Sequence, residues 1–416
     1  MDLTFCFLDL DGFKLVNDSL GHYFGDLLLK EASARILSQL RKVDMAARLG
    51  GDEFVILLRE VNDEEDVTSF VKRLQEFIAF PYELENKTVV VTATVGIAPS
   101  PNGYKSAEDM LRDADIAMYQ AKYQDKGSLA TFNQSMREDV LARLQMDTDL
   151  RMALQNNEIV NYYQPVFDMR SHQIIALESL ARWHHQGKGI ELPDTFLPVS
   201  IDSGFVIAMG SQLRKEAIEH FCRWQDGNIL SPDVKLSFNI SGREFWHKGF
   251  VEEMTRLVDE LHCERLLSLE VIESVLMRNY SEASYILERL SDLGIEIIID
   301  DFGVGYSSLE MLNKLPIQAL KIDRSFIRSM GEKNNNMQLI RAVIALGEEM
   351  NWKVIAEGVE TDIQEHRLLE LGCHFGQGFR FANPLGENEF EAFLAGDLSK
   401  MNFGELTKEP SIENPH

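Results

Sequence analysis

The second half of the chain repeats one pattern: a short apolar run stops at a polar or charged side chain, and a helical segment follows. The clearest run is Ile295–Asp301, where a β-branched strand typical of burial on both faces stops at two carboxylates. Neighbouring side chains of a strand point to opposite faces, so Asp300 and Asp301 can share a site only where the strand ends. An isolated Asp-Asp pair would favour a solvated turn, and the repetition is what favours a site.

The pattern continues from Ile159 for about 240 residues and predicts a (β/α)8-type barrel. Active sites of such barrels lie at the C-terminal ends of the strands. Any one polar residue there is expected to be a turn residue or helix cap, but together they would converge on one pocket. The side chains at the predicted strand ends are Glu178, Asn239, Glu270, Asp300, Asp301, Lys321, Glu357 and Gln377.

The number of carboxylates at the predicted strand ends indicates that the pocket binds cations. Two carboxylates about 4 Å apart repel by about 4 kcal/mol at an effective dielectric constant near 20. Oxygen ligands without Cys or His favour Mg²⁺ or Mn²⁺ over zinc. Two such ions bridged by one aspartate are typical of sites that hydrolyse a phosphodiester.

The first half predicts an α/β sandwich. Leu3–Leu10 is an expected strand, Phe13–Asp18 a short polar connection, and residues 21–40 a helix. A hairpin follows around Gly50 and Gly51. Asp9 and Asp52 each lie beside a predicted sheet terminus, where they would suit Mg²⁺ and a substrate phosphate, although turn acids without a metal are an equally good interpretation.

A chain of 416 residues is long for one core, so we expect two domains. The predicted boundaries are a first domain at 1–133, a helical join at 134–150, a second domain at 151–403, and a disordered polar tail at 404–416.

The composition restricts which partners the chain is expected to bind and in which cellular compartment it is expected to lie. A formal net charge of -26 argues against non-specific binding to nucleic acid or an anionic membrane. The four cysteines lack CxxC spacing, which argues against a disulfide framework and a thiolate zinc site. No apolar run approaches the roughly 20 residues that a membrane helix needs. We therefore expect a cytoplasmic chain, which could be the cytoplasmic part of a longer, membrane-anchored sensor.

Several motifs of the first half resemble the GGDEF family of diguanylate cyclases, which condense two GTP into cyclic di-GMP. They are Phe7–Lys14 (FLDLDGFK), Asn17-Asp18, Gly21-His22, Gly25-Asp26 and Arg48–Phe54 (RLGGDEF), and the resemblance covers most of residues 3–131. It implies metal binding by Asp9, Asp52 and the Leu10 carbonyl. It further implies guanine recognition by Asn17 and Asp26, phosphate contacts from Lys14 and Lys122, and assistance to the 3′-hydroxyl from Glu53. Arg41 and Asp44 match the family's inhibitory site for cyclic di-GMP, with a plain surface ion pair as the alternative.

The second half resembles the EAL family of cyclic di-GMP phosphodiesterases over about residues 148–397. The matching segments are Tyr163–Pro165, Glu178–Leu180, Asn239–Ser241, Glu270–Glu273, Asp300–Gly303, Lys321–Asp323, Ala356–Glu360 and Gln377-Gly378. Ser179 stands where the family signature has alanine.

This resemblance implies a role for each residue. Glu178, Asn239, Glu270 and Asp300 would bind one metal ion, and Asp301 would serve a second ion that shares Asp300. Glu357 would hold the attacking water and act as its base, with Lys321 and Gln377 positioning it. Arg182 would grip a substrate phosphate, Gln164 would lie along the substrate, and Glu273 would brace the loop after Asp301.

Three functions follow as hypotheses. The first is a Mg²⁺- or Mn²⁺-dependent phosphodiesterase that opens cyclic di-GMP to linear pGpG, regulated by a GTP-binding GGDEF domain. The second is a bifunctional enzyme that also makes cyclic di-GMP. The third is a receptor or scaffold that binds these nucleotides without turnover. In each case we expect cyclic di-GMP and GTP as partners, and a homodimer.

Overall fold

The structure is a computed structural model that describes residues 3–61, 63–99, 104–261, 266–303, 309–331 and 336–396. The chain divides into two compact units, Met1–Gln145 and Met146–His416. The tail predicted at 404–416 lies outside the described residues. Within the described ranges, no helix combines the length and apolar composition needed to cross a bilayer.

The first unit contains seven described strands and four helices, and the helix that follows them crosses the unit boundary. The strands are β1 (Leu3–Asp11), β2 (Met45–Gly50), β3 (Glu53–Arg59), β4 (Tyr82–Leu84), β5 (Lys87–Val89), β6 (Thr92–Pro99) and β7 (Leu129–Thr131). The helices are α1 (Phe13–Leu20), α2 (His22–Gln39), α3 (Glu64–Ile78), α4 (Ala107–Gln124) and the boundary helix α5 (Gln134–Gln155).

Five strands of this unit form one sheet in the order β2-β3-β1-β6-β7, and β4 pairs with β5 separately. The central strand β1 buries apolar side chains on both faces: Cys6 and Leu8 join one core cluster, and Phe7 joins another that includes Ala114 of α4. The predicted α/β sandwich is confirmed.

One local prediction in this unit is wrong. Residues 13–18, expected as a polar connection, belong to helix α1. Phe13 and Val16 lie three residues apart on one face of that helix and are both buried. Burial of this short apolar stripe outweighs the polar appearance of the segment.

The second unit is a barrel with flanking helices. Its strands are β8 (Ile159–Asp168), β9 (Gln173–His185), β10 (Gly189–Glu191), β11 (Lys235–Asn239), β12 (Leu267–Ile272), β13 (Glu296–Phe302), β14 (Ala319–Ile322), β15 (Lys353–Ala356), β16 (Phe375–Gly376) and β17 (Leu385–Gly386). Its helices are α6 (Pro193–Ser203), α7 (Val206–Asp226), α8 (Gly242–Phe245), α9 (Phe250–Leu261), α10 (Glu273–Met277), α11 (Tyr280–Asp292), α12 (Leu309–Leu312), α13 (Arg324–Arg328), α14 (Asn336–Met350), α15 (Asp362–Glu370) and α16 (Glu387–Leu394).

Eight strands close the barrel in the order β9-β11-β12-β13-β14-β15-β16-β8, and β8 pairs back onto β9. The predicted barrel class is confirmed, with one difference: β8 runs antiparallel to both neighbours, whereas the strands from β9 to β16 pair in parallel. Only a short turn joins β8 to β9, and a parallel pair would need a crossover of about a dozen residues. The first strand pair is therefore a hairpin.

A small apolar layer lies directly below the polar strand ends. Val166, Ile298, Ala319 and Ile355 form a buried cluster separate from the main core. Each lies two positions from a predicted site residue, namely Gln164, Asp300, Lys321 and Glu357. Residues two apart on a strand share a face, so this layer supports the site from beneath.

Candidate metal-binding active site

Lys321 lies at the centre of the polar side chains that the sequence placed at the strand ends. It lies on β14 and is 1% exposed. Its Nζ lies 2.9 Å from Glu178 Oε2 and 2.7 Å from Glu270 Oε2, and it also pairs with Glu357 Oε1. One ammonium group thus contacts carboxylates from three separate segments of the barrel, which the sequence had predicted to converge.

Glu178 is held by amides as well as by Lys321. Asn239 Nδ2 donates to Glu178 Oε1 at 2.5 Å, and Gln377 Nε2 donates to Glu178 Oε2 at 2.6 Å. Gln377 Nε2 also donates to Gln164 Oε1 at 2.9 Å. These contacts bring together residues from β8, β9, β11 and the end of β16.

The sequence had suggested that Glu178 ends its strand, and this prediction is wrong. Glu178 lies in the middle of β9, which continues to His185. The parallel pairing of β9 with β11 reaches Ser179, and the rest of β9 pairs with β8 and β10. Glu178 therefore sits at the end of the barrel wall, although the strand itself extends further.

Asp300 and Asp301 do share one site, and the backbone shows how. Asp301 has a φ of 52°, in the left-handed region that L residues other than Asn and Asp rarely adopt. The register of β13 against β14 shifts between Ile299 and Phe302. This break in the pleat suspends the alternation of side chains, so that oxygens of both aspartates lie within 4.8 Å of a Glu357 oxygen.

The carboxylates form two overlapping groups. In each group, one oxygen per residue lies within 4.8 Å of the others: Glu178, Glu270 and Glu357 in the first, and Asp300, Asp301 and Glu357 in the second. Glu357 is common to both groups. The family resemblance implies that Asp300 is the shared ligand, and that bridging role stays a prediction.

The pKa values reflect this crowding. Burial and the Glu178 charge raise the pKa of Glu270 well above its ordinary value. Burial also raises the pKa of Glu357 to about 8, against the opposing effect of Lys321. Burial and the neighbouring Asp300 raise the pKa of Asp301 to about 6. For Glu178, burial is outweighed by Lys321 and by its amide partners, and the pKa is lowered.

The donor set fits divalent cations that prefer oxygen. The two groups supply five carboxylates against one ammonium, and neither group contains Cys or His. The buried Gln377 Oε1 has no hydrogen-bond partner among the described residues, so it is available to a water or ligand. Carboxylate and amide oxygens are the donors that Mg²⁺ and Mn²⁺ take.

A cavity of about 700 Å³ opens over these residues. Its lining includes Gln164, Arg182, Asn239, Asp300 and Asp301. The Arg182 guanidinium donates from Nη1 to the Ala181 carbonyl at 2.8 Å and lies 5.7 Å from the Tyr162 ring. The predicted phosphate-gripping arginine is thus placed at the wall of the same cavity as the carboxylates.

Sequence reasoning had left Asp323 without a role. It follows β14, lines the cavity and caps α13 by accepting from Ser325 N at 3.0 Å. Its negative charge also contributes to the raised pKa of Asp301. Its position two residues after Lys321 was the sequence signal that could have identified it as a site residue.

Glu273 is the first residue of α10 and is buried, directly after the strand that carries Glu270. The loop that it was expected to brace includes residues 304–308, which lie outside the described residues. The bracing role stays a prediction.

The first unit brings together part of its own predicted site. Lys122 Nζ lies 2.6 Å from Asp9 Oδ2, and Leu10 N donates to the Asp52 carbonyl at 3.3 Å. Glu53 pairs with Asp9 in the β1–β3 register. Burial raises the pKa of Asp9, Lys122 opposes the rise, and Asp52 adds to it, so the two acids are electrostatic neighbours.

The predicted guanine-reading residues lie on α1 and α2. Asn17 packs over Gly25, where an added Cβ would stand 1.9 Å from Asn17 Oδ1. Gly25 therefore makes room for the Asn17 amide, and Asp26 follows it on the exposed side of α2. Lys14 is exposed on α1.

Arg41 and Asp44 bind each other. Arg41 Nε and Nη2 donate to the two Asp44 oxygens at 3.0 and 3.2 Å, and Asp44 also accepts from Arg59 N at 3.2 Å. The Asp44 side chain is 1% exposed and that of Arg41 is 57% exposed. Burial would raise the pKa of Asp44, but the Arg41 bonds and backbone donors lower it. A ligand at this predicted inhibitory site would meet Arg41 first.

Two family models match the chain: the EAL domain over residues 147–384, and the diguanylate cyclase GGDEF domain over residues 1–128. The chain is a tandem GGDEF–EAL protein. Its first 128 residues belong to the GGDEF family and residues 147–384 to the EAL family.

Two relatives align over nearly the whole chain. The tandem GGDEF–EAL chain is 39% identical over 391 residues to the bifunctional diguanylate cyclase/cyclic di-GMP phosphodiesterase MucR of Pseudomonas aeruginosa, covering 94% of this chain and 56% of MucR. It is 36% identical over 395 residues to the cyclic di-GMP phosphodiesterase NbdA of the same organism, covering 94% of this chain and 50% of NbdA. The chain therefore spans about half the length of these relatives.

A solved structure of the PaMucR phosphodiesterase in complex with c-di-GMP aligns with a TM-score of 0.58 and 37% identity. The alignment covers 59% of this chain and 99% of that one.

Proposed function

We propose that the EAL domain hydrolyses cyclic di-GMP to linear pGpG with two divalent cations. The observation that carries the proposal is that Glu178, Glu270 and Glu357 contact Lys321, while Glu178, Glu357, Asp300 and Asp301 line one cavity that Arg182 also lines. The relatives named as cyclic di-GMP phosphodiesterases, and the related structure with c-di-GMP bound, support the choice of substrate.

The cations would be held by Glu178, Asn239, Glu270, Asp300, Asp301 and Glu357. Mg²⁺ or Mn²⁺ bound there would supply Lewis-acid stabilisation of the phosphoryl oxygens and lower the pKa of the attacking water. Lys321 fixes three of these carboxylates by direct contact before any substrate arrives. A site whose ligands are already oriented reorganises little during the reaction.

Glu357 would act as the base in proton transfer. Its carboxylate lies between the two acidic groups, where it would accept the proton of the attacking water. Gln377 Oε1, which has no hydrogen-bond partner in the part of the chain that the structure describes, would accept from this water and orient it, because Gln377 Nε2 is fixed on Glu178 and Gln164. Lys321 keeps Glu357 in place from the other side.

Arg182 and Gln164 would hold the substrate. A guanidinium can donate to two oxygens of one phosphate at once, and cyclic di-GMP presents such phosphates. Gln164 is fixed by Gln377 and by its own donation to the Ala382 carbonyl at 3.0 Å.

The test is hydrolysis of cyclic di-GMP by the purified chain in Mg²⁺ or Mn²⁺, with pGpG quantified by chromatography. Asp300→Asn should lower kcat at least about a hundredfold, since changes one shell further out already cost about 10- to 100-fold. Glu296→Gln is the matched control, because Glu296 lies on the same strand and pairs with Lys235. Binding of cyclic di-GMP without hydrolysis under both metals would favour a receptor instead.

We also propose that the GGDEF domain binds GTP with Mg²⁺ and regulates hydrolysis. The contact of Lys122 with Asp9, and the approach of Asp52 to the same strand end, support a nucleotide-phosphate site. Hydrolysis measured with and without GTP tests this proposal, and an unchanged rate at saturating GTP would reject regulation. Detection of cyclic di-GMP made from GTP alone would extend the proposal to a bifunctional enzyme.

A further inference from the structure

Three described arginines line the cavity over the acidic groups: Arg182, Arg214 and Arg324. Arg214 is 3% exposed, and its guanidinium binds Glu244 and Glu253. Arg182 is 7% exposed and belongs to the buried part of the cavity wall. Arg324 differs from both, because it is exposed and its guanidinium has no ion pair or hydrogen bond within the ranges that the structure describes.

Arg324 lies across the barrel from Arg182. Arg182 is on β9, and Arg324 follows β14 as the first residue of α13. In the closed order of eight strands, β14 is four strands away from β9 in either direction. The two arginines therefore line opposite sides of the same cavity.

The backbone of Arg324 lies against the segment that carries Glu357. Gly358 follows Glu357 with a φ of 68°, and a Cβ added to Gly358 would stand 2.8 Å from Arg324 Cβ. The missing side chain at Gly358 thus makes room for Arg324. Lys321, three residues before Arg324, is 1% exposed, whereas Arg324 lies beyond the strand end and is exposed. Arg324 is therefore at the mouth of the cavity, above the buried acidic groups.

We propose that Arg324 binds the phosphate of cyclic di-GMP that is not hydrolysed. The ring of cyclic di-GMP contains two phosphodiester groups, and the proposed cations act on only one of them at a time. The other phosphate brings a negative charge into a cavity that Asp301, Asp323 and Glu360 also line. A guanidinium without a carboxylate partner can offset this charge and donate to two oxygens of the phosphate.

The inference rests on the proposed phosphodiesterase, and equilibrium binding tests it without turnover. Arg324→Gln removes the charge and should raise the dissociation constant for cyclic di-GMP, measured by calorimetry in EDTA, about tenfold. In Mn²⁺ the KM should rise by a similar factor while kcat changes less than about twofold, because the contact is equally strong in the ground state and the transition state. The melting temperature should stay the same, since the guanidinium holds no other described group.

Arg328→Gln is the matched control. Arg328 is also exposed and lies one turn further along α13. Of these two described arginines, only Arg324 lines the cavity. Both substitutions remove one positive charge, so a long-range effect on an anionic ligand would appear in both variants. Equal loss of affinity in the two variants, or an unchanged dissociation constant in Arg324→Gln, would overturn the proposal.

Salt separates a phosphate contact from a contact with the neutral edge of the guanine base. Raising the salt concentration from about 0.05 M to about 0.5 M screens exposed charges, so the difference in affinity between the unmodified chain and Arg324→Gln should shrink. A difference that stays constant over this range would overturn the assignment to a phosphate.

Two further outcomes separate this inference from the proposed phosphodiesterase. Binding of cyclic di-GMP without hydrolysis would reject the phosphodiesterase alone, and the dissociation constants would still decide whether Arg324 binds a phosphate. Failure of the unmodified chain to bind cyclic di-GMP in both EDTA and Mn²⁺ would overturn both proposals.

Discussion

Replacement of Lys321 by methionine is the most direct test of how the site is held together. The change keeps the length of the side chain and removes the ammonium group. At an effective dielectric constant of about 20, contacts such as those from Nζ to Glu178 at 2.9 Å and to Glu270 at 2.7 Å are each worth about 6 kcal/mol. Carboxylate oxygens within 4.8 Å of one another repel by about 3.5 kcal/mol or more per pair when ionised.

Protonation limits the cost of this replacement. Breaking a buried ion pair by removing one partner costs about 3–5 kcal/mol, and we expect Lys321→Met to lower the free energy of unfolding by that amount in metal-free buffer at neutral pH. Glu270 and Glu357 have raised pKa values in the folded state, the latter about 8. The folded metal-free chain therefore binds more protons than the unfolded chain between their ordinary pKa of 4.5 and about 8. Stability falls as the pH rises through that window, and the loss should be steeper in the variant.

The assay is urea unfolding in EDTA at pH 5, 6.5 and 8, repeated with Mn²⁺. Lys235→Met is the control, because Lys235 and Glu296 are partly exposed and such a pair contributes about 0–1 kcal/mol. Equal destabilisation of the two variants in EDTA, or a gap between them that does not grow with pH, would refute the electrostatic account of Lys321.

Two further changes test substrate binding in each domain. Arg182→Lys keeps the charge and loses the planar fork, so KM for cyclic di-GMP should rise about tenfold with a smaller change in kcat, and an unchanged KM would remove Arg182 from the phosphate site. Gly25→Ala would place a Cβ against Asn17 Oδ1, so calorimetry should show GTP binding weakened at least about tenfold with little change in melting temperature, whereas Lys30→Ala on the same helix should bind GTP normally.

The barrel and its ring of polar strand ends could be predicted because each strand carries its own signal: a β-branched run and the residue that ends it. That local pattern was sufficient to predict that Asp300, Lys321 and Glu357 are site residues. The direction of β8 could not be predicted in this way, because its apolar pattern is the same for either direction. The length of the β8–β9 connection contained the information, since four residues cannot cross over to a parallel partner.

Other features depend on which side chains meet, and no local pattern specifies that. Glu357 joins both carboxylate groups because Asp301 adopts a left-handed conformation, which the Asp-Asp-Phe-Gly segment permits but does not dictate. Asn161 and Ser179 lie 18 residues apart in sequence, and their contact follows from the hairpin register. Arg214 of α7 and Glu244 of α8 lie 30 residues apart, and their contact at 2.6 Å follows from the placement of these two helices.

The antiparallel first strand also has a consequence for how the barrel assembles. β8 pairs at one edge with β9, which follows it at once, and at the other edge with β16, about 200 residues later. The hairpin is a local contact that can form early, whereas closure must wait for Phe375 and Gly376 to reach Asp168 and Phe167. Until then β8 and β15 both present open edges, where another chain can pair. Gln377, which connects Glu178 to Gln164, follows directly after this closing strand, so we expect the barrel and the site to be completed together, late in folding.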